Sequence, residues 1–200
     1  MLLLDFSAAF DTIDHKILIS RLENRFGVAG IPLSWFQSYL QSRTQYVKVN
    51  GKASASTPLQ QGVPQGSVLG PLLFSLYAAP LEDILTAHGV DGMIFADDTQ
   101  LYITLKESNT STTVHQLECC VHDIRYWCIS NKLFLNVSKT ELLHIFSSYA
   151  RSDPLSPFIT FGDIVVSSKT AVRDLGAVLD EKLTMRNHIN IDQTIILNVQ

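Results

Sequence analysis

The chain is poor in the features that mark several whole classes of protein. No stretch approaches the roughly 18 consecutive apolar residues of a membrane-spanning helix, so no membrane partner is expected. The opening MLLLDF has no basic lead, and Asp5 cuts its apolar run short, so no secretory signal is read there. Cysteine is scarce. The three residues Cys119, Cys120 and Cys128 make an odd count with no framework spacing. That argues against a disulfide scaffold and predicts a reduced intracellular protein, nucleus or cytoplasm left open. Positive charge is short as well: 15 Lys and Arg face 19 Asp and Glu, for a net charge of −4. A domain that grips nucleic acid by bulk electrostatics is usually basic, so this balance counts against such a footprint. There is no internal repeat and no low-complexity tract.

What remains is a chain of 200 residues, 46% apolar and 17% charged, able to bury a core of its own. Both ends read as cut. A core strand follows Met1 at once, and NINIDQTIILNVQ carries no closing turn signal, so the chain reads as part of something larger.

Residues 2–6, LLLDF, read as a buried strand ending in an acid. Over 10–26, Ile13, Ile17, Leu18, Leu22 and Phe26 keep helical spacing, and Gly27 stops the run. A second helix is expected near 31–41, with Pro32 in its first turn. Asn50-Gly51 between extended runs predicts a hairpin. The loop LQQGVPQGSVLGP (59–71) feeds a helix that Pro80 bends or breaks. MIFADDTQLYITL (93–105) reads as two β runs meeting at Asp97-Asp98, and 110–130 as a helix preceded by threonine caps. ELLHIF reads as a short strand, and FITF, DIVV and LGAVL as the short strands of a small C-terminal sheet after it. The order predicts an α+β fold, an antiparallel sheet with helices packed on one face.

The Asp97-Asp98 pair is the anomaly, because two like charges interrupt an apolar β run. Alternation along one straight strand would put them on opposite faces. A turn at 97–99 would leave both at the sheet rim, with Asp97 the better held and Asp98 the more adjustable. Adjacent carboxylates repel, and one resists ionising unless a cation sits between them. A solvated turn explains a lone Asp-Asp cheaply. Asp5 changes the balance: if its strand neighbours that of Asp97, three carboxylates converge at one edge, the oxygen set that magnesium prefers. Two ions held this way can activate a hydroxyl and stabilise a phosphoryl leaving group.

Several blocks in fixed order resemble the reverse transcriptase of non-LTR (LINE-type) retrotransposons. They are LDFSAAFDTIDH (4–15), QGVPQGSVLGPLLFSLY (61–77), FADDTQLY (95–102), NKLFLNVSKTE (131–141) preceded by Trp127, and VRDLGAVLDEKL (172–183). The resemblance implies a polymerase palm over 1–183, with fingers largely missing before it and 184–200 the start of a truncated thumb or a divergent tail. It implies that Asp5, Asp97 and Asp98 hold two Mg2+ ions, with Mn2+ a possible substitute. RNA template, DNA primer and deoxynucleoside triphosphates are the implied partners. By the same carry-over Phe10 is a steric gate against the 2′-hydroxyl, and Gln65 and Gly66 lie against nucleotide and template. Lys139 protonates or offsets the departing pyrophosphate, and Leu175 and Gly176 belong to a primer-grip hairpin. Each has a plain alternative: a core Phe, a turn before a helix, a solvated lysine, ordinary strand and turn residues.

Three other constellations carry little. His115, Cys119 and His122 share a helix face near Cys128, but a fourth zinc ligand would need a different face. Asn109 and Asn136 match a glycosylation pattern that needs a secretory route. Asp14-His15 is expected on the solvated face of the first helix. The leading reading is therefore an RNA-directed DNA polymerase fragment. The alternatives are a catalytically incompetent remnant that binds nucleic acid weakly, and another palm-type nucleotidyl transferase or cyclase. Oligomeric state is left open.

Overall fold

The computed structural model describes residues 1–64, 66–147, 157–162 and 164–190. Gln65, most of the 147–157 loop, Asp163 and the tail from 191 onward lie outside the described residues.

Strand β1 (Leu2–Ser7) sets the frame. Leu2, Leu4 and Phe6 are buried while Leu3, Asp5 and Ser7 are only half-buried, the period-two pattern of a strand with two different faces. Helix α1 (His15–Asn24) starts where the Asp14 carboxylate accepts from the backbone N–H groups of Lys16 and Ile17. Helix α2 (Gly30–Leu40) follows and packs on α1. Strands β2 (Thr44–Gln45), β3 (Lys48–Val49), β4 (Lys52–Ala53) and β5 (Thr57–Pro58) form two nested ladders, β2 with β5 and β3 with β4. Asn50 and Gly51 turn the inner one with φ of 49° and 79°, as the Asn-Gly pair predicts. Helices α3 (Gly70–Ala78) and α4 (Leu81–His88) divide at Pro80. Then come β6 (Asp91–Phe95), β7 (Asp98–Tyr102), α5 (Thr110–Ser130), β8 (Phe134–Leu135), a tight turn over Val137–Lys139, and β9 (Glu141–Leu143). The last strands are β10 (Phe158–Phe161), β11 (Ile164–Lys169), β12 (Ala171–Asp174) and β13 (Ala177–Asp180).

Seven strands make one sheet in the order β10-β11-β9-β1-β7-β6, with β8 pairing to the end of β1. The sheet is antiparallel except between β9 and β11, which run parallel. The hairpin β10–β11 reverses direction before its second strand meets β9, so it extends the main sheet instead of forming the small separate one expected. Of the C-terminal strands described, β12 and β13 stand apart as their own hairpin. LGAVL is not one strand: Leu175 and Gly176 both have positive φ and make the turn, so β13 begins at Ala177. α5 begins after Asn109 with no side-chain cap, and Thr113 lies buried within it, so the expected threonine caps do not form.

The helices cover one face. Leu2, Leu4 and Phe6 join Leu18 and Leu22 of α1, Leu73 and Phe74 of α3 and Ile124 of α5 in one buried cluster. Burying a leucine or phenylalanine of this kind contributes about 1.5–3 kcal/mol. At Gly92 a β-carbon would stand 2.6 Å from Leu85 Cδ1 and 2.9 Å from Gln100 O, so α4 can lie this close to β6 only over a glycine. A polar knot closes the helical side. Tyr77, fully buried, donates from its hydroxyl to Asn131 O at 2.5 Å. Arg21 donates to Tyr77 O and, at 2.6 Å, to Asn131 Oδ1. Its guanidinium lies 4.9 Å from the Tyr77 ring and 5.5 Å from that of Trp127.

Candidate active site

β1 and β7 pair with Asp5 directly opposite Asp98. Residues opposite one another in an antiparallel pair share a face, and this face is the one turned away from the buried cluster. Phe95 closes the β6–β7 hairpin against Asp98, and Ala96-Asp97 form the loop between them, Ala96 with φ of 53°. The turn therefore sits one residue earlier than the expected 97–99. That single step exchanges the two acids: Asp98 is held in the ladder beside Asp5, and Asp97 rides on the turn.

In place of the expected convergence of three carboxylates, Asp5 and Asp98 pair and Asp97 stands on the adjoining turn. Among the described residues no group of three His, Cys, Asp or Glu stands ready to hold a metal. The pair is nevertheless short of positive charge. Burial raises the Asp98 pKa, and the negative charges of Asp97, Asp174 and Asp5 raise it further. Asp5 Oδ2 is buried with no hydrogen-bond partner. Among the described residues its ion-pair partner is Lys139, whose Nζ lies 3.6 Å away and whose side chain is largely exposed. An orphaned oxygen between like charges is costly unless a cation completes it. These oxygens fit a hard divalent ion, which would be held by Asp5 and Asp98 with Asp97 alongside.

Lys139 reaches Asp5 because the chain after β8 turns back on β1. Asn136 N donates to Asp5 O at 2.8 Å, and the turn that ends in Lys139 follows. The carboxylates open into a cavity of about 110 Å³, lined by Asp5, Asp98, Gln100, Lys139, Glu141, Arg173, Asp174 and Leu175 among others. The expected grip residue Leu175 thus borders the same cavity as the acids, at the turn of β12–β13. Four of these lining residues carried no expectation: Gln100, Glu141, Arg173 and Asp174. Gln100 Nε2 donates to Asp174 Oδ1 at 2.6 Å, and Tyr102 donates to Gln100 Oε1. Burial raises the Asp174 pKa, and the Gln100 hydrogen bond partly offsets this. The signal for Gln100 was available, since it is two residues from Asp98 and alternation puts both on one face. Asp174 had no such signal, because its place depends on how a separate hairpin docks.

Phe10 is half-buried, packs on the core, and its ring centroid lies 5.5 Å from that of Phe74. Gly66 has φ of 74° with nothing within 4 Å of where a β-carbon would stand, so the backbone there is open to a ligand. The loop before it is tied to the corner after β1. Val63 N donates to Phe10 O, Gly62 N to Ile13 O, both at 2.8 Å, and a β-carbon at Gly62 would meet Asp11 O at 2.8 Å. His15 joins this tie. Its Nε2 lies 2.7 Å from Gly62 O, so Asp14 and His15 are a helix cap and a loop anchor instead of solvated neighbours. Cys120 and Cys128 are buried core residues whose thiols burial pushes up to about 11 and about 12, leaving them inert.

Residues 1–179 match the family described as reverse transcriptase (RNA-dependent DNA polymerase). The chain belongs to that family. It is an enzyme domain by this membership, and the resemblance to LINE-type reverse transcriptases holds. It is 29% identical over 204 residues to an RNA-directed DNA polymerase from the mobile element jockey of Drosophila melanogaster, covering 95% of this chain and 20% of that one. To the probable RNA-directed DNA polymerase from transposon BS of the same organism it is 27% identical, covering 93% and 20%. The chain spans about 20% of the length of these relatives. Among solved structures it resembles apo telomerase from Candida tropicalis, with a TM-score of 0.57 and 14% identity over 92% of this chain and 34% of that one. It also resembles telomerase from Candida albicans, with a TM-score of 0.58 and 16% identity over 92% and 30%. At this identity the likeness concerns fold, and it agrees with an α+β polymerase palm. No helix among the described residues is long and apolar enough to cross a membrane.

Proposed function

We propose that this chain is the nucleotidyl-transfer palm of an RNA-directed DNA polymerase, adding deoxynucleotides to a primer 3′-hydroxyl on an RNA template. The observation that carries the reading is the Asp5–Asp98 pair with its orphaned oxygen, set in the order of blocks that the family match covers. Two Mg2+ ions, or Mn2+ in their place, would be held by Asp5, Asp97 and Asp98 and would supply the charge neutralisation that phosphoryl transfer needs.

The chain's own residues do the rest. Lys139, 3.6 Å from Asp5, offsets carboxylate charge and is placed to give a proton to a departing pyrophosphate. Phe10, braced on Phe74, offers a rigid wall against a 2′-hydroxyl. Gly66 leaves room for nucleotide and template to approach the backbone, with Gln65, outside the described residues, beside it. Leu175 and Gly176 hold the primer end over the cavity from the β12–β13 turn. On this reading residues 1–183 are the palm, and the expected start of a thumb or divergent tail over 184–200 lies largely outside the described residues. Intracellular action on nucleic acid follows from this chemistry.

The test is primer extension on an RNA template with a DNA primer, in Mg2+ and then in Mn2+, beside an Asp97→Asn, Asp98→Asn variant. Extension that the variant loses supports the reading. Equal metal-dependent extension by the variant would sink it.

A further inference from the structure

From residue 24 to residue 81 the chain carries no acidic residue, although it has 19 elsewhere. The same stretch carries Arg25, Arg43, Lys48 and Lys52. The overall charge of −4 hides this segregation. Arg25 is committed to Asp83, with Nη1 2.5 Å from Oδ2. Arg43, Lys48 and Lys52 make no ion pair among the described residues.

Arg43 joins a stack of flat groups, and the lysines follow it in the hairpin five and nine residues on. Trp35 and Tyr39 lie one helical turn apart on α2, their rings 5.5 Å apart and inclined by only 10°. Ser42, with φ of 56°, reverses the chain after the helix, so that Arg43 returns over Tyr39 with its guanidinium 5.3 Å from the ring. Arg43 Nη1 also donates to Tyr39 O at 3.3 Å. Phe36 braces Trp35 edge-on at 5.2 Å and packs on the core, which fixes the indole without covering it. Trp35 is 52% exposed and Ile31, one turn earlier, 87%. A braced but open indole in line with a tyrosine and an arginine, on a segment that itself carries no acid although Asp14 and Glu23 of the neighbouring helix share a cavity with Gln37 and Leu40, suits a polyanion that carries flat rings.

We propose that Trp35, Tyr39 and Arg43, with Lys48 and Lys52, form a contact for single-stranded nucleic acid separate from the carboxylate edge. An unpaired base stacks on Trp35, and the phosphates beside it meet Arg43 and the hairpin lysines. The site lies on α2, which packs on α1 at the helical side of the sheet, whereas Asp5 and Asp98 look out from the other side. No residue of α2 lines the carboxylate cavity. The inference goes beyond the polymerase reading and needs no catalysis. It concerns where a strand is held outside the cleft.

The test is a titration of the purified chain with a 5′-labelled oligouridylate, an oligo-dT of equal length and a duplex of equal length, followed by label anisotropy and tryptophan fluorescence. The chain has two tryptophans, and the exposed one reports the stack. Both single strands should quench it, the duplex should not, and Trp35→Ala should weaken single-strand binding about tenfold. Trp35→Phe, which keeps a ring, should recover most of the loss. Each of Arg43→Gln, Lys48→Gln and Lys52→Gln should lower the slope of log K against log salt by about 0.7. Quenching by RNA alone would keep the site and add recognition of the 2′-hydroxyl. Equal binding by a folded Trp35→Ala variant would overturn the proposal. So would loss of quenching in Asp5→Asn, Asp98→Asn, which would assign the strand to the cleft, or a Trp35-dependent dimer in sedimentation, which would assign the ladder to a second copy. Failed primer extension with quenching intact would count against the polymerase reading alone.

Discussion

Two polar clusters flank the same sheet, and they are opposites. On the helical side, Arg21, Tyr77 and Asn131 satisfy one another: the hydroxyl of Tyr77 donates to Asn131 O, and Arg21 donates to both partners while its guanidinium lies over Tyr77 and Trp127. On the other side, Asp5 and Asp98 face each other across a ladder with Asp97 and Asp174 adding to the repulsion, and one buried Asp5 oxygen accepts no hydrogen bond, with Lys139 3.6 Å away. A cluster that completes itself serves stability. A cluster whose carboxylates outnumber the cations beside them would be relieved by a bound cation, which is the mark of a site.

The contrast breaks most visibly in activity. Asp5→Asn or Asp98→Asn should cut metal-dependent primer extension by about 10³-fold, a loss of roughly 4 kcal/mol in barrier stabilisation. The metal-free variants should melt no lower than the parent, because each removes repulsion. A lower melting temperature would mean that the pair is structural. Arg21→Met should do the reverse, lowering stability by about 2–3 kcal/mol in urea unfolding by leaving Asn131 Oδ1 and Tyr77 O without their charged donor. Tyr77→Phe should cost about 1–2 kcal/mol, for one hydroxyl with a buried acceptor at Asn131 O and a part-buried donor at Asp14 N. Gln100→Leu should cost about 1 kcal/mol and speed amide exchange in β12–β13, since it unties Asp174 from β7.

The smallest effect is in pH. Asp98 has a folded pKa raised above the ordinary 3.8, so the folded chain holds its proton longer than the unfolded chain. Stability from this group therefore falls as pH climbs from 3.8 through the raised value, and added Mg2+ should remove the fall. Asp180 has the opposite sign. Its carboxylate accepts from Thr184 N and Lys182 N at 3.0 Å and from Thr184 Oγ1 at 2.8 Å, which holds its pKa below 3.8. Its contribution is present above 3.8 and lost as pH drops through the lowered value. Urea titrations of Asp98→Asn and Asp180→Asn across the acid range should show opposite changes in slope.

How much was legible differs by element. The α5 helix, the Pro80 break and the Asn50-Gly51 hairpin follow from periodicity and turn chemistry, which are local. The turn forms at Ala96-Asp97, one residue before the expected 97–99, because nothing local distinguishes Ala96-Asp97 from Asp97-Asp98 as the loop. The threonines before α5 read as caps but lie within the helix. The parallel β9–β11 pairing and the docking of Asp174 on Gln100 join segments far apart in the chain, and no pattern within either segment announces the other.

By itself the sequence determined the alternating faces of β1, the acid at its end, the two β runs meeting at an acidic pair, and the ordered blocks that place the chain among reverse transcriptases. These are properties of short windows, where spacing and residue type act directly on the backbone. Tertiary structure alone decided that Asp98, not Asp97, stands opposite Asp5, that Lys139 returns to compensate it, and that the β12–β13 hairpin closes the cavity with Asp174 and Leu175. Strand register and hairpin docking are set by how the whole core packs, and a single residue of register decides which carboxylate faces the site.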